Sequence, residues 1–144
     1  MNRRRLLNRV PETNAVLDAC RDLDVTLIAY SPLAQGLLTG KYAPGARPAG
    51  LVRRLNRSFD EANLRKIGPL LEALHRIGEA YEKTSSQVAL NWLVTQRGVL
   101  AIPGAKNERQ ARENAGALGW ALAPEEVGEL KILSSRLSGQ VRQR

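Results

Sequence analysis

Apolar residues recur along this chain in two rhythms. Over residues 61–82, Leu64, Ile67, Leu71, Leu74 and Ile77 return every three or four positions, with Glu72, Arg76, Glu79 and Lys83 mostly elsewhere. That is the stripe of a helix with one buried side, and Gly68-Pro69 in its middle is expected to kink or restart it. Val16, Cys20 and Leu23, with Leu17 beside them, give the same period over 11–23. Pro11 suits a first turn, Glu12 complements the helix dipole, and the helix is expected to stop near Asp24. Two short runs break the rhythm. "VTLIAY" (25–30) and "GVLAIPG" (98–104) are continuous apolar stretches without alternation, which predicts strands buried on both faces of a parallel sheet. Thr84 and Gln87 have the offset of a capping box, opening a helix whose Val88, Trp92 and Leu93 face the core. Asn107 is placed to cap a helix over 107–118, and Pro124-Glu125-Glu126 opens a last helix through Leu130 and Leu133. Residues 31–60 are rich in Gly, Pro and Arg and read as a long loop; the tail from about 138 to 144 reads as flexible.

The order is helix, strand, long loop, two helices, strand, helix, helix, with no fixed-period repeat. Alternating helices and strands argue for a parallel α/β sheet. Two or three such strands neither close a barrel nor cover both sheet edges, so the 144 residues read as one domain's worth of chain that is incomplete as a sheet. Hydrophobic residues are 43% and charged residues 25%, as in soluble globular proteins. Aromatics are only 4%, so the core is aliphatic. Lys plus Arg outnumber Asp plus Glu by 22 to 14, a formal charge of +8, which favours an anionic partner. No motif interleaves aromatic with basic residues, so nucleic acid is not expected, whereas a phosphorylated small ligand is compatible. Cys20 is the only cysteine and His75 the only histidine, which excludes an intrachain disulfide and a Cys/His metal cluster. No apolar run reaches the roughly 20 residues that span a bilayer. The Arg-rich opening "MNRRRLLNRV" passes straight into structured-looking sequence and is not read as a targeting peptide. The cytoplasm is the expected compartment, with a plastid open if the source is a plant. Oligomeric state is not legible.

Chemistry concentrates where the two strands end. "GLLTGK", Gly36 to Lys41, resembles a phosphate loop but has three residues between its glycines where four are needed, and Tyr42 stands where Ser or Thr would follow the lysine. No G-x-G-x-x-G follows a strand, so a doubly wound dinucleotide fold has no fingerprint. The first strand delivers Tyr30 and Ser31 to its tip. An aromatic face there suits a planar ring or packs beneath the loop. The second ends in Ile102-Pro103-Gly104, then Ala105-Lys106-Asn107, then a helix. Gly104 lets backbone approach a ligand. Lys106 adds a point charge, and the helix start adds unpaired N–H groups. Gln110 and Asn114 lie on one helical face. The arrangement is either an anion cradle or a plain strand–helix turn.

"IAYSPLAQGLLTGKY" together with "IPGAKNERQARENAGAL" closely resembles the aldo-keto reductases, and "VPETNAVLDACRDLDVTLIAY" and "TSSQVALNWL" extend the likeness over roughly residues 5–135. The resemblance implies an α/β fold, a (β/α)8 barrel of which this chain holds roughly the last two to three βα units plus a C-terminal helix. It implies NADP(H) bound in an extended pose, with Tyr30 stacked on the nicotinamide. Ser31, Leu33 and Gly36 then line the pyrophosphate, with Gln35 and Lys41 nearby. Gly104 and Lys106 hold the adenosine 2′-phosphate, and Gln110, Glu113 and Asn114 surround the adenine end. A lysine at that phosphate favours NADP over NAD. The implied reaction is reduction of an aldehyde or ketone, a small carbonyl substrate, to an alcohol. The family's catalytic aspartate, tyrosine, lysine and histidine belong to earlier strands. Tyr42, Asp60, His75 and Tyr81 lie in the wrong segments to replace them, so no catalytic residue and no metal ligand is carried over. A barrel of this kind takes about 250 residues. The chain is therefore expected to bind cofactor and to be inactive alone; the alternative is a non-catalytic regulatory or interaction fragment.

Overall fold

The structure, a computed structural model, describes residues 6–7, 11, 14–42 and 59–137. The expectations for the tail from about 138, for residues 43–58 of the long loop and for Glu12 lie outside the described residues. In chain order the elements are α1 (Val16–Asp22), β1 (Leu27–Tyr30), a 3₁₀ segment (Ala34–Thr39), α2 (Glu61–Ala80), α3 (Ser85–Val94), β2 (Val99–Ile102), α4 (Glu108–Ala115) and α5 (Pro124–Leu137).

Pro11 is itself helical and buried, but the helix expected over 11–23 is interrupted: Ala15 sits in the left-handed region at φ 61°, and α1 begins at Val16. The Asn14 side chain accepts from the Val16 N–H at 3.3 Å. The helix stops where expected: Asp24 is left-handed at φ 53°, and the Val25 N–H donates back to the Cys20 carbonyl at 2.7 Å, a Schellman closure. The buried residue of its face is Leu17, whereas Leu23 is 74% exposed.

Helix α2 runs unbroken through Pro69. A mid-helix proline costs about 3 kcal/mol, but Ile67, Leu70, Leu74 and Ile77 are fully buried on both sides of it, each contributing about 1.5–3 kcal/mol. Burial therefore outweighs the break. Leu70, not Leu71, lies at the centre of the stripe; Leu71 packs at its margin. Asp60 caps the helix, its side chain accepting from the Asn63 N–H at 2.7 Å. Thr84 and Gln87 form the predicted capping box of α3, and Val88, Trp92 and Leu93 are buried. An aliphatic core gathers these helices over the sheet, with Leu37, Leu38 and Leu130 fully buried in it.

Strands β1 and β2 pair in parallel, with Leu27 opposite Val99, Ile28 opposite Leu100, Ala29 opposite Ala101 and Tyr30 opposite Ile102. Among the described residues the sheet is covered on one face only. Leu27 and Ala29 are buried, while Ile28, Tyr30, Leu100 and Ile102 are 41, 42, 49 and 40% exposed. Burial on both faces, the reading of the continuous apolar runs, is thus not met by the described residues. Their apolar residues still cover both sides of each strand, the pattern of a sheet with a second covering layer.

Candidate functional site

Parallel pairing brings both strand tips to one edge. Tyr30 and Ile102 are paired across the ladder, on strands about 4.8 Å apart, so the loops after them leave side by side. The Tyr30 ring lies on the open face of the sheet with Ile28, Leu100 and Ile102.

The loop after β1 is sharply bent. Ser31 (φ 53°), Ala34 (φ 52°), Gln35 (φ 59°) and Gly36 (φ 93°) are all left-handed. A non-glycine residue held there costs about 1–3 kcal/mol. The conformation is held by hydrogen bonds from the N–H groups of Gly36 and Leu38 to the Leu33 carbonyl, at 3.0 and 3.3 Å, and from the Thr39 hydroxyl to the Gly36 carbonyl at 2.6 Å. Leu37 and Leu38, both fully buried, anchor the far side. Gly40, at φ 73°, turns the chain against Ser85 of α3. The Leu33 side chain is partly buried and packs against the core. Lys41 is exposed, and its N–H donates to the Thr39 hydroxyl at 3.4 Å. Ser31, Leu33, Gln35, Gly36 and Lys41 therefore share one pinned loop at the tip of β1.

The loop after β2 is equally built. The Lys106 N–H donates to Gln110 Oε1 at 2.8 Å, the Gln110 N–H to Asn107 Oδ1 at 3.0 Å, and Asn114 Nδ2 to the Gly104 carbonyl at 3.3 Å. Gly104, Lys106, Gln110 and Asn114 thus form one hydrogen-bonded unit. Glu113 is half-buried beside them, and its carbonyl accepts from Gln87 Nε2 at 2.9 Å. A Cβ on Gly104 would meet nothing within 4 Å, so the space beside it is open. Among the described residues Lys106 is in no ion pair, whereas Arg112 is held by Glu108 at 2.7 Å. A solvated lysine ahead of a helix N-terminus suits a phosphate. Two supports escaped the sequence reading: Gln87 acts beyond its capping box, and Asn91, fully buried, donates to the carbonyls of Ala117 and Trp120 at 3.0 and 2.8 Å. Their only sequence signal is that they lie one turn apart on α3.

The sequence profile of the Aldo/keto reductase family matches residues 2–135. This chain belongs to that family. It is 40% identical to a chloroplastic pyridoxal reductase of Arabidopsis thaliana, over 88% of this chain and 33% of the relative. A Schizosaccharomyces pombe aldo-keto reductase named for NADP(+) is 36% identical over 81% of this chain and 35% of its own length. An NADH-specific methylglyoxal reductase of Escherichia coli is 33% identical over 92% and 40%. Among solved structures, the glycerol dehydrogenase AKR11B4 of Gluconobacter oxydans superposes with a TM-score of 0.79 at 26% identity, over 91% of this chain and 40% of that one. The aldo-keto reductase chain therefore spans roughly a third of the length of the curated relatives it matches, and its two parallel strands with their helices are part of a TIM barrel. Among the described residues no acidic, histidine or cysteine cluster suits a metal ion, and no helix is long and apolar enough to cross a membrane.

Proposed function

We propose that residues 1–144 form the C-terminal, NADP(H)-binding part of a single aldo-keto reductase barrel. Tyr30 receives the nicotinamide on its ring face. Backbone N–H groups and side chains of the Ser31–Lys41 loop, including Leu33, Gln35 and Gly36, take the pyrophosphate. Gly104 and Lys106 take the 2′-phosphate, with Gln110, Glu113 and Asn114 at the adenine end. Bound NADPH supplies the hydride for reduction of an aldehyde or ketone; these residues bind and orient it. No residue of this chain is assigned the proton-donor role, and the chain by itself is proposed to bind cofactor without turnover. The remaining barrel strands would pair at the two edges of this sheet, and their inward side chains would cover its open face.

The observation that carries the reading is the convergence of an exposed aromatic and an unpaired lysine, each on a pinned loop, at the common edge of two parallel strands. Relatives named for both NADP(+) and NADH leave the choice of cofactor to the site, and the unpaired Lys106 favours the phosphorylated one. Fluorescence titration of NADPH and NADH tests this. Lys106→Ala is expected to weaken NADPH binding about tenfold or more, the scale of a charge-assisted contact, with little change for NADH. Equal loss for both, or no loss, refutes the assignment.

A further inference from the structure

Helix α4 has no buried side chain. Eight residues do not hold a helix in water by themselves, and α4 lacks the apolar face that ordinarily fixes a helix to its neighbours. Carboxamides take that role. Asn107, Gln110 and Asn114 tie its start and inner face to the loop after β2. Gln87 and Asn91 reach over from α3 to its far end. Gln87 Oε1 accepts from the Thr84 N–H at 2.9 Å, and its Nε2 donates to the Glu113 carbonyl, one of the last four carbonyls that α4 cannot satisfy internally. Asn91 holds the exit turn through Ala117 and Trp120. Gly116 makes room for this contact, since a Cβ there would stand 2.2 Å from Gln87 Nε2.

We propose that Gln87 is a positioning residue for the adenosine end of the cofactor. Its Nε2 hydrogen bond to Glu113 fixes α4, and with it Lys106 and the helix start, relative to the tip of β1. The proposal rests on the NADP(H) reading of the site. A displaced α4 lowers the fraction of molecules competent to bind and weakens apparent affinity by that fraction.

Gln87→Glu separates the two hydrogen bonds. Glutamate keeps the acceptor for the Thr84 N–H, as in the commonest capping box, so α3 keeps its start. It has no donor for Glu113 and sets a carboxylate against that carbonyl. In the full chain, amide exchange over residues 108–118 is expected to quicken about five- to tenfold while α2 exchanges as before, and the Kd for NADPH is expected to rise by a similar factor. The ratio of NADPH to NADH affinity is expected to fall toward that of Lys106→Ala. Unchanged exchange in 108–118 overturns the proposal, as does faster exchange with unchanged NADPH affinity. Failure of the unsubstituted chain to bind NADPH overturns the site reading itself; binding by that chain, undisturbed in Gln87→Glu, overturns only the role of Gln87.

Discussion

Gly78→Ala in α2 is expected to destabilise the protein although alanine is the better helix former. Propensity alone favours the change by about 0.8–1 kcal/mol. The structure opposes it. After α2 the chain folds back through Glu82, left-handed at φ 54°, and the Lys83 N–H donates to the Gly78 carbonyl at 2.8 Å. A Cβ on residue 78 would stand 2.4 Å from the Lys83 carbonyl oxygen. Backbone must move about 1 Å to restore ordinary contact, and the next residue is Thr84, the cap of α3. Overpacking costs about 1–3 kcal/mol, a disturbed closing hydrogen bond about 0.5–1.5 kcal/mol and a loosened cap about 1 kcal/mol. Against the propensity gain, the net loss is about 1.5–4.7 kcal/mol, or roughly 5–16 °C in Tm for a chain of this size. Gly128→Ala in α5 is the control. It is helical with open space around it, and is expected to raise Tm by roughly 2–4 °C. Thermal melts followed by circular dichroism decide the matter. A Gly78→Ala protein as stable as the parent or more so would show that the fold-back over residue 78 is not as described.

Three further outcomes are expected. Ala15→Gly relieves a left-handed alanine on an exposed turn and is expected to stabilise by about 0.5–1 kcal/mol in urea titrations, whereas a loss would mean that Ala15 is not left-handed. Asn91→Leu strands the Ala117 and Trp120 carbonyls and is expected to cost about 2–4 kcal/mol in the same assay; a neutral effect would remove Asn91 from the account. The Tyr81 hydroxyl donates to Glu126 at 2.8 Å, and this hydrogen bond, with burial, raises its pKa above the usual tyrosine value. A raised folded-state pKa gives stability that is complete below about pH 10 and fades as pH climbs through the raised value. Tyr81→Phe is therefore expected to flatten the alkaline limb of the stability profile, and an unaltered limb counts against the Tyr81–Glu126 link.

Local chemistry was legible in the sequence, and contacts between distant segments were not. The capping box of Thr84 and Gln87 and the cap at Asn107 are written in residue type and spacing, and both formed. The two strand tips could be read as one edge because parallel strands place their C-terminal ends together. Leu70 displaced Leu71 because the choice between neighbouring leucines depends on where α3 and α5 press. Pro69 failed to break α2 because burial on either side outweighed its local penalty. The left-handed run at Ser31, Ala34 and Gln35 has no signature in residue type; burial of Leu37 and Leu38 further along imposes it. Gln87 and Asn91 looked like ordinary helix positions because their partners lie 26 or more residues away.

Two neighbouring strand tips are proposed to hold one dinucleotide. Amide chemical-shift mapping of the isotope-labelled chain titrated with NADPH addresses this directly. Saturable shifts are expected in both Ser31–Lys41 and Lys106–Asn114 with a single dissociation constant, the second set shrinking when NADH replaces NADPH. Shifts confined to one loop, or two sets titrating with different constants, would contradict this arrangement.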